Sequence, residues 1–537
     1  MQKIQLILLF VISYHTLTAC VFQSAPTPPP LAITRNQNAL EESKALGYLG
    51  EQYEKAQRYE DALTKTRQAI FKAQEAHALA WLIRWQWQLG RIFKAQGKIN
   101  QAIVAYQHAL QGLVPEKTFR WKMKFQAPAE LSLYQKLRPL FFQLADLLLQ
   151  RAAIENEPAK KQDDLQQAMN TIEQLKKADV EHYFDDCFTT FQNKYKNLDE
   201  FMNDQTAVIY PVLFDKRLEF LVRFPDAPIH SFQVPVGQEQ ISQEVLRFSE
   251  QLKAGYDDQE STRFKSHAQQ LYSWLIKPLR PLLTQHAINT LIFVPEGPLL
   301  RLPMAALHDG KQFLIENFAV AIAPGLALID PQSSSFKKRN TQALLGAITK
   351  ETQDYSELPY AQSEIEALGQ LYQNTTLLQN DRFTQAELTQ TFKNQYYSVV
   401  HLISHAEFAD NPEQSFIVTY DGKLTFEQLA KLIQPSKDAP IELLTLSACN
   451  TAEGDNEWAA LGLSGIALKA GARTTLATLW KAHDKSTSLL MKRFYRALIT
   501  EKLSKAQALQ AAQIQLIDSI YQHPFYWAPL ILIGNWM

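Results

Sequence analysis

The 537-residue chain has only three cysteines, Cys20, Cys187 and Cys449, so no disulfide framework is open to it. It also lacks an excess of either charge. Its 54 basic residues face 55 acidic ones, for a formal net charge of −1, and no long basic run offers a stripe for phosphates. Nucleic acid is therefore not an expected partner. A phosphate-binding glycine-lysine loop, a His-Glu-x-x-His helix and a paired-cysteine zinc pattern are all missing, so no nucleotide, metal or other cofactor is expected. The apolar run at 4–12 is too short to cross a bilayer comfortably. What is present is an ordinary globular composition, 46% hydrophobic and 20% charged. The length suits roughly two to four domains.

Lys3, the apolar run and Leu17-Thr18-Ala19-Cys20 have the layout of a secretory signal. Small residues ahead of the cysteine resemble the bacterial lipobox, which implies removal of 1–19 and acylation of Cys20. The several chains so attached supply a stable anchor. Residues 20–38, with Pro26, Pro28, Pro29 and Pro30, read as an extended tether. Val21 stands where an aspartate would be the inner-membrane retention signal. The resemblance therefore implies a lipid-anchored protein of the bacterial cell envelope, on the periplasmic face of the outer membrane. If Cys20 is acylated, only Cys187 and Cys449 remain as thiols. A free thiol is a liability in an oxidising compartment, so Cys449 invites a functional explanation, whereas Cys187 reads as structural.

From residue 39 to 205 apolar residues recur at helical spacing almost without strand signals. Leu49-Gly50, Tyr53, Tyr59, Ala62 and Ala69 are echoed by Leu89-Gly90, Phe93, Ile99, Ala102, Tyr106 and Ala109. These positions resemble the tetratricopeptide repeat, whose small residues let paired helices approach closely. The copies lie 40 residues apart, against about 34 in that repeat, which predicts an extended second helix. Further helices at 139–150 and 163–177 would stack on as degenerate repeats, and an irregular bundle is the alternative. Trp81, Trp85 and Trp87 read as core. The concave face of such a solenoid suits a protein or peptide partner.

From 206 to 537 short apolar strands alternate with amphipathic helices, the pattern of a mostly parallel α/β sheet covered on both faces. A hairpin is expected from 207–214 and 217–224, then a long helical stretch at 242–283. Strands follow at 290–294, 343–348, 398–404, 416–419, 442–446, 473–479 and 530–533. The accompanying helices are at 362–372, 384–392, 425–433, 459–469, 484–498 and 505–519. In such sheets active residues gather at the carboxyl ends of strands.

Two strand ends carry chemistry. Val399 to Ser404 runs into His405, and Leu443 to Ala448 runs into Cys449, 44 positions later. That gap fits a crossover between parallel strands, so both residues can leave the sheet on one edge. A thiol beside an imidazole is a nucleophile with its base, and the imidazole later protonates the leaving amine. His401, on the same strand face as His405, reads as a satisfied interior histidine.

Together with Ala406-Glu407-Phe408, Leu446 to Thr451, Ala470-Gly471-Ala472, Leu479-Trp480, Asp484 and Phe494-Tyr495, these residues resemble the CHAT domain, a family of the caspase and separase clan commonly fused to tetratricopeptide repeats. The match extends upstream through Phe293 to Gly297 and Leu302 to Leu307, and downstream to Tyr526 to Pro529 and Ile533 to Trp536. The resemblance implies a caspase-like α/β domain behind a helical solenoid, with His405 and Cys449 as the catalytic pair. It places an oxyanion hole at the backbone amides of Ala406 and Cys449, and Ser447 and Asp484 in a candidate substrate pocket. Asp484 also has a helix N-cap reading.

Two departures from the family stand out. Ala406 replaces the usual glycine, which matters if the site needs a left-handed backbone there. Ala482-His483 replaces a frequent valine and aspartate. The function implied is an envelope-anchored cysteine endopeptidase whose repeats bind its partner or substrate. Two alternatives stay open: a weak or inactive scaffold for protein interaction, and a hydrolase of a non-protein amide.

Overall fold

The computed structural model describes residues 30–112, 133–184, 202, 203, 205–256, 258, 260–329, 341–407, 414–433, 441–449, 472–480 and 483–537. The signal segment with Cys20, Cys187, the helix expected at 459–469, and Phe408, Asn450, Thr451, Ala470 and Gly471 lie outside them. Residues through Pro115 and those from Glu116 onward form two compact units.

The first unit contains α1 (Pro30–Lys55), α2 (Tyr59–Glu75), α3 (Leu79–Ala95) and α4 (Ile99–Gln111). The first helix takes in 30–38, which the sequence suggested as extended tether. A proline at the first helical position lacks only an N–H that would have no partner there, so Pro30 starts the helix rather than blocking it. Each turn pivots on one left-handed residue, Gln57 (φ 59°), His77 (φ 51°) and Gly97 (φ 73°). Schellman-type bonds close each turn, as in Arg58 N to Tyr53 O (2.9 Å) and Lys98 N to Phe93 O (2.9 Å). Helix-plus-turn units thus recur every 20 residues, and the 40-residue spacing in the sequence is two of them. A Cβ on Gly47 would stand 2.2 Å from the Trp85 ring, and one on Gly90 2.2 Å from Tyr106, so glycine is what lets these helices close up. Trp85 is fully buried, its Nε1 donating to Ser43 Oγ (3.0 Å), while Trp81 and Trp87 are half-buried.

The second unit opens with α5 (Leu133–Ile154) and α6 (Pro158–Phe184), clasped by Arg151 across both carboxylate oxygens of Asp164 (2.9 and 2.6 Å). Both helices are tied to the sheet that follows. Asp146 pairs with Arg217 (2.9 Å), and Glu173 accepts from Tyr210 Oη (2.7 Å) and from the amides of Leu326 and Ala327 (3.0 Å each).

The sheet strands are β1 (Thr206–Leu213), β2 (Leu218–Arg223), β3 (His230–Val234), β4 (Thr290–Phe293), β5 (Ala319–Ile322), β6 (Gln342–Ala347), β7 (Asn374–Gln379), β8 (Val399–Glu407), β9 (Phe416–Thr419), β10 (Gly422–Thr425), β11 (Leu443–Cys449), β12 (Thr474–Thr478) and β13 (Leu530–Gly534). Between them run α7 (Gln238–Lys253), α8 (Phe264–Leu275), α9 (Arg280–Gln285), α10 (Leu314–Asn317), α11 (Ala361–Leu371), α12 (Gln385–Asn394), α13 (Phe426–Ile433), α14 (Asp484–Ile499) and α15 (Lys505–Ile517). Strands β7, β6, β8, β11 and β12 lie parallel in that spatial order. An antiparallel step from β12 to β13 leads to a second parallel set, β13, β5, β4 and β1, and the antiparallel β2 and β3 complete the edge. A mixed, mostly parallel sheet covered by helices thus follows the N-terminal helical region.

Most expected elements occur within a residue or three of their expected bounds. The helical stretch expected at 242–283 consists of three helices, α7, α8 and α9, separated near Gly255 and at the prolines of Lys277-Pro278 and Arg280-Pro281. Four strands went unanticipated. Of these β3 and β7 are polar and half-exposed, and β5 and β10 have only four residues each, too few to show a period.

Candidate active site

Strands β8 and β11 pair in parallel over seven positions, from Leu443 opposite Val399 to Cys449 opposite His405. Neighbouring strands run about 4.8 Å apart, so the backbone brings the two candidate residues side by side at the carboxyl edge of the sheet. Partners in register share a face. The register also matches His401 with Thr445, and both bond to Tyr495 Oη, so positions 405 and 449 belong to the sheet face over which α14 lies.

The His405 ring is half-exposed and held on two sides. Its Nε2 lies 2.9 Å from the carbonyl oxygen of Ser356, and the ring stacks on Tyr355 with centroids 5.1 Å apart and planes at 28°. A carbonyl oxygen only accepts, so Nε2 carries the proton in the neutral imidazole and Nδ1 keeps the lone pair. Ser356 and Tyr355 belong to the loop after β6, the parallel neighbour of β8. No motif marks them. The signal that could have found them is the rule that loops at the carboxyl ends of adjacent parallel strands converge.

Below the edge, His401 is wholly buried. Its Nε2 meets Glu364 Oε1 (2.8 Å) and its Nδ1 meets Tyr495 Oη (3.1 Å), which also bonds Thr445 Oγ1 (2.8 Å). Both ring nitrogens are satisfied inside the fold, as the sequence suggested. Burial raises the Tyr495 hydroxyl's pKa beyond the usual phenol range.

Ala406 is buried in β8 and is not among the residues with positive φ, so the methyl that replaces the family's glycine imposes no left-handed strain. Ile403 O accepts from Ile348 N on the β6 side of the strand, whereas Ser398 O accepts from Glu442 N on the β11 side. Alternation therefore turns the Ala406 amide toward β11, into the pairing with Cys449.

Asp484 is the first residue of α14, and the N-cap is His483, whose Nδ1 accepts from Ser486 N (3.3 Å). Asp484 Oδ2 instead accepts the Tyr360 amide (2.9 Å). Burial raises its carboxyl pKa, partly offset by that amide, with Glu364 pushing further up and His405 drawing it down. Burial likewise lowers the His483 pKa, with Lys485 adding to the effect.

His405, Ala406, Glu407 and Asp484 line one groove of about 480 Å³, shared with Tyr355, Ser356 and Tyr360. Among the described residues, four carboxylates border it, Asp354, Glu357, Glu407 and Asp484, and one lysine, Lys485, whose ammonium lies 5.6 Å over the Tyr360 ring. Ser447 is buried in β11, on the same strand face as Thr445 and position 449, and is not among the described residues that line the groove.

A family model described as the CHAT domain matches residues 265–535, just over half of the chain. The chain belongs to the CHAT domain family. The matched segment runs from α8 through β13 and so includes both strand ends, the loop that holds His405 and α14. No curated protein matches the sequence. Among solved structures, the separase–securin complex of Saccharomyces cerevisiae is similar at 11% identity and a TM-score of 0.44, with 94% of this chain and 48% of that chain covered. The chain thus spans about half of the length of that structure's chain. The CHAT domain supplies a caspase-like, peptidase-type frame.

Proposed function

We propose that the CHAT domain is a cysteine endopeptidase with Cys449 as nucleophile and His405 as its base. The single observation behind this reading is the register that sets Cys449 opposite His405, whose ring is anchored at Nε2 by Ser356. Nδ1 takes the thiol proton as sulfur attacks the peptide carbonyl carbon. The tetrahedral oxyanion then collapses to a thioester while the same proton passes to the leaving amine, and water hydrolyses the thioester. The acid-rich lining favours a substrate positively charged near the scissile bond. The helical repeats would present the protein or peptide, and acylated Cys20 would hold the protein at the periplasmic face of the outer membrane.

A second reading, a scaffold without turnover, draws on the Ala406 amide. Turned into the β8–β11 pairing, it serves an oxyanion only if those strand ends part.

The purified full chain treated with iodoacetamide at pH 7 tests the assignment. Mapping of labelled peptides should find Cys449 alkylated faster than a free thiol, slowed in His405→Ala, and unchanged in Cys187→Ala. In a cleavage assay Cys449→Ala and His405→Ala should each abolish turnover, and the double variant should be hardly worse than either. Full turnover in Cys449→Ala overturns the nucleophile.

A further inference from the structure

Asp484 sits beside His405 without touching it, and what it does touch is the chain that holds His405. Tyr360 follows Ser356 by four residues and immediately precedes α11. The first turns of α14 grip it at three points. Asp484 Oδ2 accepts from its amide (2.9 Å), Ser488 Oγ donates to its carbonyl (3.2 Å), and Lys485 lies over its ring (5.6 Å). One turn on, Lys492 Nζ donates to Ser363 Oγ (2.8 Å). Positions 484, 488 and 492 fall on one face of a helix, so this is a row of contacts. Tyr360 has no side-chain cap of its own for α11. The Asp484 carboxylate brings its negative charge to the positive end of that helix while it accepts the amide just ahead of it.

We infer that Asp484 is a positioning residue: by holding Tyr360 it fixes the loop that presents the Ser356 carbonyl to His405, and so keeps the imidazole in the tautomer with Nδ1 free. This rests on the Cys449–His405 reading. The route runs from Asp484 through Tyr360 and the short stretch over Leu358-Pro359, whose proline ring limits slack, to Ser356. With the clasp open the imidazole is free to rotate and to change tautomer, and it spends less time poised as a base.

The test is the pH–rate profile of Cys449 alkylation by iodoacetamide in the full chain, a small neutral probe that needs no substrate pocket. Asp484→Ala should slow alkylation near pH 7 by about tenfold and move the profile toward that of His405→Ala, the scale of one hydrogen bond lost. Asp484→Asn keeps an acceptor for the Tyr360 amide and should restore most of the rate. Circular dichroism should match wild type throughout, so that a slower rate does not reflect loss of the fold. If Asp484→Ala reacts like wild type while His405→Ala is slow, the clasp is overturned and the dyad stands. If Asp484→Asn is as slow as Asp484→Ala, charge rather than the hydrogen bond is at work, and the inference falls. If His405→Ala itself reacts like wild type, the dyad reading fails and the clasp with it.

Discussion

Glu364 Oε1 lies 2.8 Å from His401 Nε2 where both side chains are buried, directly beneath the sheet edge that carries His405. An unpaired polar group there has no water to turn to. Glu364→Ala should therefore cost about 1–3 kcal/mol of stability. Tyr495→Phe, which orphans both His401 Nδ1 and Thr445 Oγ1, should cost a similar amount. Urea titrations give the comparison, and wild-type midpoints in both variants would show that the network contributes nothing.

Ala406→Gly is expected to bring no gain in activity. The position is extended strand, so glycine relieves no strain and adds chain freedom, costing roughly 0.5–1 kcal/mol in stability. Cleavage rates of the two proteins, set beside their melting temperatures, decide the matter. A marked rise in turnover would mean that the methyl obstructs the oxyanion site.

Stability should decline on acidification through one identifiable histidine. Burial lowers the His523 pKa to about 4, and its Nδ1 accepts from Phe525 N (3.1 Å), which requires the neutral ring. The unfolded chain takes up this proton below its ordinary value of 6.5 and the folded chain only near 4, so stability falls as pH drops through that window and is unaffected above it. His523→Asn, which offers an oxygen in place of Nδ1, should flatten the dependence. Chemical denaturation at pH 7 and pH 5 reads the slope, and an unchanged slope in the variant would clear His523.

Cys20→Ala should release the protein from membranes or leave its precursor unprocessed, because a single short apolar segment without acyl chains anchors poorly. Fractionation and the mass of the mature N-terminus are the observables. Wild-type membrane retention with wild-type processing would argue against lipidation.

Much of the second unit was legible because its physics is local. Strand β11 is a run of apolar and small residues of strand length, and α14 carries a clean helical period, so their positions followed from residues close in sequence. The turn at Gly97 was likewise written in a glycine. Those at Gln57 and His77 were not, because a left-handed backbone is uncommon for any residue but glycine and there it accompanies the packing of the flanking helices.

The sequence by itself determined that a cysteine and a histidine each end an apolar strand, and their motif placed the chain among CHAT domains. Only the tertiary structure decided which strands are neighbours and in what register, hence that Cys449 stands opposite His405, that Ser356 and Tyr355 hold the ring, that Asp484 grips Tyr360 and that Ser447 is buried. The physical reason is range. Strand and helix periods are set by each residue's own few neighbours, whereas these contacts join chain segments up to 124 positions apart, and only the packing of the whole sheet brings such segments together.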